Sequence, residues 1–584
     1  MNKQEQEILK ILYEQNGKTQ RELAKSSNCS LGLVNNVLKK LKEDGYIDDQ
    51  MKTTSKTKKL FQDNSPKSAV ILAAGFGMRM VPINLEIPKG LLKVKGETLV
   101  ERIIHQLHDV NIREIYVVVG FMKESYEYLI DKYNVKLIFS PDYSTKNNLH
   151  SLKYALPHLS NTYIIPCDIW CRKNPFNKNE LDSWYMVSNS LSEDGLVRVN
   201  KKSEILLSTT DEKANKMIGI TYLVKSDSQK LKVRLKELSE NKKYNQAFWE
   251  DALFENGKMT ILANIDREEI AYEINTYEEL RDLDTNSQNL ENKAIKIIEE
   301  ALDVKSSEIV DIAVLKKGMT NRSFIFTCKG QKYIMRIPGE GSDKLVNRKQ
   351  EAAAYNVVRN QGICDDIIYI NPENGYKITK YVDNARVCDP YNEKEVRACI
   401  QKLKEFHKRK FMVKHEFNIW KEIDFYEKLW EGKKSVYQDY EQTKANVFSL
   451  RKFIDENRKD YILTHIDANP DNFLISKEDI RLIDWEYAGL QDPDVDIAMF
   501  IIYAMYDRKW ADKLIDIYYE NQCDQITRIK IYCYMAMCGL LWSNWCEYKS
   551  NLGVEYGEYS IAQYRYAKDY YKIVQEELQK LEEK

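Results

Sequence analysis

The chain has 584 residues, of which 43% are hydrophobic, and its 88 lysines and arginines nearly balance 89 aspartates and glutamates. At about 150 residues per domain, this length predicts three or four domains that each bury a core. The neutral balance excludes a protein that holds nucleic acid or membrane by overall charge. No apolar run reaches the ~20 residues that span a bilayer, and the first residues lack a secretory signal. We therefore expect a cytoplasmic protein without membrane insertion, whose 11 scattered cysteines are reduced thiols.

Polar stretches divide the chain into three segments, 1–62, 66–288 and 291–584. The first carries short helical patterns, which predict an all-α domain. The second alternates apolar strand-like runs with helical patterns, which predicts an α/β domain with a mainly parallel, Rossmann-like sheet. The third begins with strand-like runs and continues with helical periodicity, which predicts an α+β fold with a small sheet-rich lobe and a large helical lobe.

The first segment predicts three helices and a hairpin. Thr19 and Glu22 form a capping box in sequence, and Ser30 is suited to cap the third helix. The pattern resembles the winged helix-turn-helix of bacterial transcription regulators, which implies DNA contact through the third helix and the lysines near the wing. Its net charge is +3, from 12 basic and 9 acidic residues up to residue 64. The alternative is a docking or dimerisation module that kept only the fold, and an oligomer is compatible with the sequence.

The string LAAGFGMRM at 72–80 follows a predicted strand and precedes PKGLL at 88–92. Two glycines after a strand let the backbone present N–H groups to phosphate oxygens. Ala74, Gly75 and Gly77 are therefore the candidate nucleotide loop, and Arg79 can reach the β- and γ-phosphates. A dinucleotide fold would need glycine at Met80, and a P-loop would need Gly-Lys-Ser/Thr.

These residues resemble the nucleotidyltransferases that activate sugars and alcohol phosphates. The resemblance implies that Lys89 stabilises the α-phosphate, where charge builds up during displacement. It also implies that Asp168, a lone acid after the apolar run YIIP, holds Mg²⁺. The nucleophile is the acceptor's own phosphate, so we expect no general base.

Within that family, STKNNLHSL at 144–152, AFWED at 247–251 and YEINTYEEL at 272–280 resemble the bacterial CTP:phosphocholine cytidylyltransferases. The resemblance implies that Asn147, Asn148 and Ser151 lie near the cytidine. It implies that Trp249 and Glu250 face a cationic head group, because a ring face and a carboxylate hold a quaternary ammonium. Core packing is the alternative for Trp249.

The chain departs from that family at two places. Asn275 stands where relatives carry an aspartate, which leaves a second metal ligand open. No aromatic residue occurs at 195–197, which weakens the choline assignment.

The most informative strings are LTHIDANPDNFLIS at 463–476 and IRLIDWEYAG at 480–489. His465 and Asp467, with Asn472 five residues on and Asp484 after a short strand, match the catalytic arrangement of kinase-like phosphotransferases. This spacing lets Asp467 reach an alcohol proton while Asn472 and Asp484 face the Mg²⁺ that bridges the ATP phosphates.

These strings resemble the choline/ethanolamine kinases and aminoglycoside phosphotransferases, which implies a bilobal protein-kinase-like fold. KKGMTNRSF at 316–324 replaces the glycine-rich loop, with Thr320 and Asn321 as candidate ATP ligands. Arg336 stands where protein kinases have lysine, and its permanent charge suits phosphate. Glu351 is its candidate ion-pair partner; a solvated glutamate is the alternative.

Trp542 and Trp545 lie three residues apart in a helical pattern and therefore share a face. Choline kinases box the trimethylammonium with aromatic residues of this region, which implies that these rings bind the head group. Glu486 or Asp467 would supply the negative charge. Core packing of the pair is the alternative.

Together the resemblances imply a bifunctional choline kinase and CTP:phosphocholine cytidylyltransferase. It would use ATP and CTP, with Mg²⁺ at both sites, to make CDP-choline for phosphorylcholine decoration. One alternative keeps both reactions but takes ethanolamine or another aminoalkyl phosphate or phosphonate. The other is a transcription regulator whose enzyme-like domains sense nucleotide or choline.

Overall fold

The structure is a computed structural model that describes residues 1–15, 17–208, 212–315, 321–339, 345–477, 479–554 and 556–583. It contains two compact units, Met1–Lys296 and Ile297–Lys584. The first unit holds the first two predicted segments together. Within the described ranges, no helix combines the length and the apolar character needed to cross a bilayer.

The winged-helix segment is built from α1 (Lys3–Glu14), α2 (Gln20–Ser26), α3 (Leu31–Glu43) and α4 (Ser55–Asn64). The predicted capping box of Thr19 and Glu22 is present, and the Ser30 side chain caps α3. The predicted hairpin is reduced to one bridge between Ile47 and Thr53. The lysine-rich stretch after it forms α4 instead, because that helix buries Phe61 in the small core.

The outer face of α3 is exposed at Asn35, Asn36 and Lys39, as DNA contact would require. The charges around this face are less favourable for contact with DNA phosphates. Lys40 bonds the buried Glu5 at 2.7 Å, and Lys42 pairs with Asp49 of the wing. DNA contact therefore stays a prediction, and these two lysines are already paired with carboxylates.

The winged helix is fastened to the domain that follows it. Leu181, far along the chain, belongs to the same hydrophobic core as the apolar faces of α1 and α3. Beside it, Lys10 pairs with Glu180 at 3.2 Å. Asn161 donates to the Asp63 carbonyl at 2.6 Å. The winged helix is thus an integral part of the first unit.

We expect Leu181→Ala to loosen the winged helix, because truncating a buried leucine costs about 2–5 kcal/mol. Hydrogen exchange of the α1 amides in the full chain measures this as a rise of roughly 30-fold or more. Leu191→Ala is the matched control, since Leu191 is 52% exposed. Unchanged α1 exchange in Leu181→Ala would contradict the docking.

The rest of the first unit is the α/β domain. Its strands are β1 (Ser68–Ala73), β2 (Lys93–Val94), β3 (Glu97–Thr98), β4 (Glu114–Val119), β5 (Lys136–Phe139), β6 (Thr162–Pro166), β7 (Ile169–Cys171), β8 (Trp184–Ser192), β9 (Val197–Val199), β10 (Glu204–Leu207), β11 (Ala214–Leu223), β12 (Phe254–Glu255), β13 (Lys258–Asp266) and β14 (Ala271–Glu273). Its helices are α5 (Leu99–Asp109), α6 (Tyr128–Tyr133), α7 (Asn148–Tyr154), α8 (Lys225–Glu240) and α9 (Tyr277–Leu283). Helix α10 (Lys293–Leu302) contains the division between the units.

The main sheet has ten strands, with the path β12-β13-β10-β9-β11-β6-β1-β4-β5. The part β6-β1-β4-β5 is parallel, as predicted. From β11 onwards most pairings are antiparallel, and the exception is the parallel pair β8 and β13. Because β1 and β6 are parallel neighbours, the segments after Ala73 and Pro166 leave the same edge. That edge carries the glycine loop and Asp168.

The second unit has two lobes. Its strands are β15 (Val310–Val314), β16 (Asn321–Cys328), β17 (Gln331–Pro338), β18 (Ile367–Ile370), β19 (Lys377–Lys380), β20 (Arg386–Val387), β21 (Ile462–Thr464), β22 (Phe473–Ile475), β23 (Ile480–Leu482) and β24 (Gly489–Gln491). Its helices are α11 (Arg348–Val358), α12 (Glu393–Lys408), α13 (Ile419–Lys428), α14 (Tyr440–Ser449), α15 (Arg451–Asn457), α16 (Asp494–Tyr503), α17 (Arg508–Tyr519), α18 (Gln525–Asn551) and α19 (Glu558–Glu582).

The small lobe is the antiparallel sheet β15-β16-β17-β19-β18 with α11. The large lobe is helical, and its core centres on α16 and α18. Two short sheets, β20-β22-β23 and β21-β24, lie in the large lobe. They carry the catalytic strings at their ends, which is the predicted kinase-like arrangement.

Candidate active sites

Two glycines allow the nucleotide loop of the first unit to close on the Pro-Lys turn. Gly77 has φ +60°, and a Cβ on it would stand 3.3 Å from the Cβ of Lys89. A Cβ on Gly90 would stand 2.9 Å from the hydroxyl of Tyr126. A larger residue at Gly77 would push apart the segments that carry Arg79 and Lys89, and one at Gly90 would push the Pro-Lys turn away from Tyr126.

Four predicted residues of this unit meet in one charged cluster. The Lys89 ammonium donates to Asp168 Oδ2 at 2.5 Å and to Asn275 Oδ1 at 2.7 Å. The Arg79 guanidinium donates to the same Asn275 oxygen at 3.0 Å. The Asn275 side-chain oxygen therefore accepts hydrogen bonds from two cations at once.

Asp168 keeps its other carboxylate oxygen, Oδ1, buried and without a hydrogen-bond partner among the described residues. Glu273, which sequence analysis missed, lies near it. Burial raises the pKa of Glu273, and the charge of Asp168 raises it further. The only signal in the sequence was its place two residues before Asn275.

The three residues expected near cytidine form hydrogen bonds with neighbouring backbone and side-chain groups. Asn148 Oδ1 accepts from the backbone N–H of Trp249 at 2.8 Å, and Asn147 Nδ2 donates to the Gln246 carbonyl at 3.1 Å. Ser151 is buried and accepts from Ser140 at 3.2 Å. The two asparagines thus fix the start of α7 against the segment that carries Trp249, and Ser151 links α7 to the end of β5.

Trp249 is 1% exposed and packs within the core. Its ring therefore presents no open face to a cation in this conformation. Glu250 accepts from the Tyr185 hydroxyl at 3.2 Å, and burial raises its pKa to about 7. The charge of Glu273 contributes to that shift. No ring stands at 195–197, where Leu196 is exposed.

In the second unit, one buried aspartate shapes the catalytic loop. Asp496 accepts the backbone N–H groups of His465 and Ile466 at 3.0 and 2.7 Å. The His465 Nε2–H donates to the Ile483 carbonyl at 2.9 Å. These bonds hold the backbones of Ile466 and Asp484 at φ +69° and +65°. Residues other than glycine adopt such positive φ angles only when the surrounding structure holds them there.

Asp467 is set up as a proton acceptor. It accepts from Asn469 Nδ2 at 2.8 Å and from Asn472 Nδ2 at 2.9 Å. Burial raises the pKa of Asp467 well above its usual range; the Asn469 bond opposes this, and the charges of Asp484 and Glu486 add to it. Because Asn472 spends its nitrogen on Asp467, its side-chain oxygen is the end that can face a metal.

Asp484 resembles Asp168 in having a buried oxygen, Oδ1, without a hydrogen-bond partner among the described residues. That oxygen lies 3.7 Å from Arg336 Nη1. The predicted ion pair of Arg336 and Glu351 is present at 2.5 Å. Burial would lower the pKa of Arg336, and the Glu351 charge more than offsets this, so the arginine stays charged. Thr320 lies outside the described residues, and the backbone of Asn321 opens β16.

Glu351 also binds a second buried arginine, Arg348, at 3.0 Å, and Arg348 lies 3.6 Å from Glu486. One fully buried carboxylate thus links β17, α11 and the segment after Asp484. Sequence analysis found the first pairing and missed the second.

Trp542 and Trp545 belong to a group of rings that we call the ring cluster: Tyr487, Trp542, Trp545 and Tyr556. Successive centroids lie 5.5, 5.7 and 5.1 Å apart. Tyr559, whose pKa is raised by burial and also by the charge of Asp467, lies close to the catalytic loop. The tryptophans are only 8% and 4% exposed. The tyrosines carried no signal in the sequence, because they lie far apart along the chain.

A cavity of about 560 Å³ opens beside this cluster at Glu486 and Tyr487. Phe417, Phe425 and Glu422 also line it. The site therefore offers rings and carboxylates on one side of Asp467 and Asp484.

We expect Glu351→Ala to destabilise the second unit by about 3–5 kcal/mol, because it strips two buried guanidiniums of their shared carboxylate. Urea unfolding of the full chain would measure the change. Glu373→Ala is the matched control, since the Glu373–Lys349 pair is exposed and such pairs contribute at most about 1 kcal/mol. Equal effects would contradict the structural role.

The geometry defines two enzyme classes: a nucleotidyltransferase in the first unit and a small-molecule kinase in the second. Comparison with family models agrees. Residues 69–176 match the MobA-like NTP transferase domain, and residues 312–538 match choline/ethanolamine kinase. Residues 1–48 match a winged helix-turn-helix DNA-binding family. The chain therefore contains successive segments that match a winged helix, a nucleotidyltransferase and a choline/ethanolamine kinase.

Three relatives show how far these similarities extend. Protein LicA of Haemophilus influenzae is 28% identical over 256 residues, which are 42% of this chain and 95% of that protein. A choline-phosphate cytidylyltransferase of Streptococcus pneumoniae is 38% identical over 117 residues, 20% of this chain and 51% of that protein. The chain thus spans about half the length of this second relative. A 2-aminoethylphosphonate cytidylyltransferase of Lancefieldella rimae is 29% identical over 201 residues, 32% of this chain and 78% of that protein.

Proposed function

We propose that the chain converts choline to CDP-choline in two steps. The kinase unit transfers the γ-phosphoryl group of ATP to choline, giving phosphocholine and ADP. The transferase unit then joins phosphocholine to the α-phosphorus of CTP, releasing pyrophosphate. The observation that carries this proposal is the pairing itself: the product of a kinase for amino alcohols is the acceptor that a cytidylyltransferase needs.

In the first step, Asp467 takes the proton of the choline hydroxyl as its oxygen attacks the γ-phosphorus. Its raised pKa favours this, since a base works best when its pKa lies nearer the working pH. Arg336, held by Glu351, lies 3.7 Å from Asp484 and can reach the phosphate oxygens beside it. The permanent charge of Arg336 stabilises the transferred group.

In the second step, the phosphate of the acceptor attacks directly and no proton has to move. Lys89 and Arg79 converge on one point, the Asn275 oxygen, and are 2.7 and 3.0 Å from it. Both cations are therefore placed to meet the charge that builds on the α-phosphate. Ala74, Gly75 and Gly77 bring backbone N–H groups to the other phosphates.

The donor sets of both sites fit Mg²⁺. Each has one buried, unpartnered carboxylate oxygen, on Asp168 and on Asp484, and Asn472 adds an amide oxygen in the kinase unit. Among the described residues no group of three or more His, Cys, Asp or Glu side chains could hold a metal alone. That suits Mg²⁺, which takes few protein ligands and shares the rest with phosphates and water. When bound, it would neutralise the charge of the triphosphate.

For the head group, the ring cluster of the kinase unit favours a quaternary ammonium, which lacks N–H groups and is held by ring faces. The transferase unit supports a second candidate. There the carboxylates are the predicted Glu250 and the neighbouring Glu273, which was not predicted, while Trp249 is packed in the core. Carboxylates suit a primary ammonium, so ethanolamine or an aminoalkyl phosphonate is the alternative acceptor type.

Separate half-reactions of two variants test the proposal. We expect Asp467→Asn to lower ATP-dependent phosphorylation of choline by roughly 100-fold or more, as loss of a general base does. Its conversion of supplied phosphocholine and CTP should be unchanged. Asp168→Asn should do the reverse, so each variant is the control for the other. If the unchanged chain turns over neither pair of substrates, it is a sensor and the proposal fails; if both variants keep full turnover, the assigned residues are not the catalytic ones.

The transferase step should also depend on pH through Glu250, if this carboxylate holds the head group. Its pKa is raised to about 7, so it is mostly neutral at pH 6 and mostly charged at pH 8. The KM for phosphocholine should therefore fall roughly tenfold between these values. Glu250→Gln removes this part of the profile and leaves the titration of the substrate phosphate. An identical profile in both proteins would contradict the role of Glu250.

A further inference from the structure

A lysine of the chain lies on the ring cluster. Lys549 stands one turn after Trp545 in α18, and its Nζ lies 5.5 Å from the Trp545 ring centroid. This is within the ~6 Å at which a ring face attracts a cation. Trp545 is the ring between Trp542 and Tyr556 in the cluster. The protein therefore places a cation of its own against the rings that the proposed substrate needs.

The Lys549 ammonium is bound only weakly by its surroundings. Among the described residues, no carboxylate lies within 4.0 Å of the Lys549 ammonium. Lys530 of the same helix differs, because it is buried and paired with Asp492 and Asp494 at 2.7 and 3.0 Å.

The charge that acts on Lys549 is that of Glu486, the carboxylate beside the ring cluster. Burial lowers the pKa of Lys549, and the Glu486 charge partly opposes that change. Lys549 and a bound ammonium would therefore share the same carboxylate and the same ring. Two cations so close repel each other, and more strongly than in water because the site is partly buried.

We propose that Lys549 is a resident cation of the ring cluster, which competes with the ammonium of the amino alcohol and sets its affinity. The proposal rests on the proposed kinase function of this unit. Lys549 is a residue that determines specificity and affinity and takes no part in the transfer of the phosphoryl group.

The test compares Lys549→Met with the unchanged full chain, since methionine keeps an apolar stem and removes the charge. The KM for choline should fall roughly tenfold, with kcat and the KM for ATP unchanged. Lys549→Arg, which keeps the cation, should retain the original KM. With 3,3-dimethylbutan-1-ol, the neutral isostere of choline, Lys549→Met should leave the KM unchanged, because no like charges meet.

Lys513→Met is the matched control. Lys513 lies 4.6 Å over Trp510 in α17, a similar contact outside the ring cluster, and should not affect the KM for choline. An unchanged or higher KM in Lys549→Met would overturn the proposal, as would an equal shift for choline and its neutral isostere.

Direct binding separates this proposal from the proposed function. If the unchanged chain phosphorylates no amino alcohol, the kinase assignment fails, and calorimetric titration with choline still tests Lys549. Binding of choline that is roughly tenfold tighter to Lys549→Met supports the resident cation. Equal affinity, or no binding to either protein, overturns it.

Discussion

Among the described residues, Asp168 in the first unit and Asp484 in the second each keep a buried carboxylate oxygen without a hydrogen-bond partner, and much of the surrounding structure follows from that constraint. An acceptor left in this state costs about 1–3 kcal/mol, so it persists only where cations stand close by. Lys89 supports Asp168 at 2.5 Å, and Arg336 lies 3.7 Å from Asp484. These cations need anchors in turn, which Asn275 and Glu351 provide. In the proposed function, the acid of each site holds a metal and the cation binds phosphate.

The two units differ in the residues that surround the sites proposed for the head group. The kinase unit surrounds the space near Asp467 with rings, whereas the transferase unit offers Glu250 and Glu273 while Trp249 fills the core. An intermediate made by one unit and used by the other must satisfy both. The winged helix is fixed to the transferase through Leu181 and Glu180, so it belongs to the enzyme's own architecture. Whatever its outer face binds is therefore brought directly to this unit.

Sequence patterns predicted the features that depend on short-range chemistry. The capping box at Thr19, the parallel strands around the glycine loop, the Arg336–Glu351 pair and the grouping of Asp467 with Asn472 needed only spacing and residue type. Features set by distant segments were out of reach. Glu273, Arg348 and Tyr556 gain their places from tertiary packing. The lysine-rich stretch was predicted as part of the wing or its linker. It forms a helix because burial of Phe61 in the core stabilises that helix, and this contact is set by distant segments. Trp249 was predicted to face the ligand, and its burial depends on the whole sheet.

We propose that one chain performs two successive reactions on the same amino alcohol. Phosphorus NMR of a single sample containing the full chain, choline, ATP, CTP and Mg²⁺ follows both reactions at once. We expect phosphocholine to appear first and then to decline as CDP-choline and pyrophosphate grow together. Phosphocholine that accumulates without consumption, or no transfer to choline at all, would contradict it.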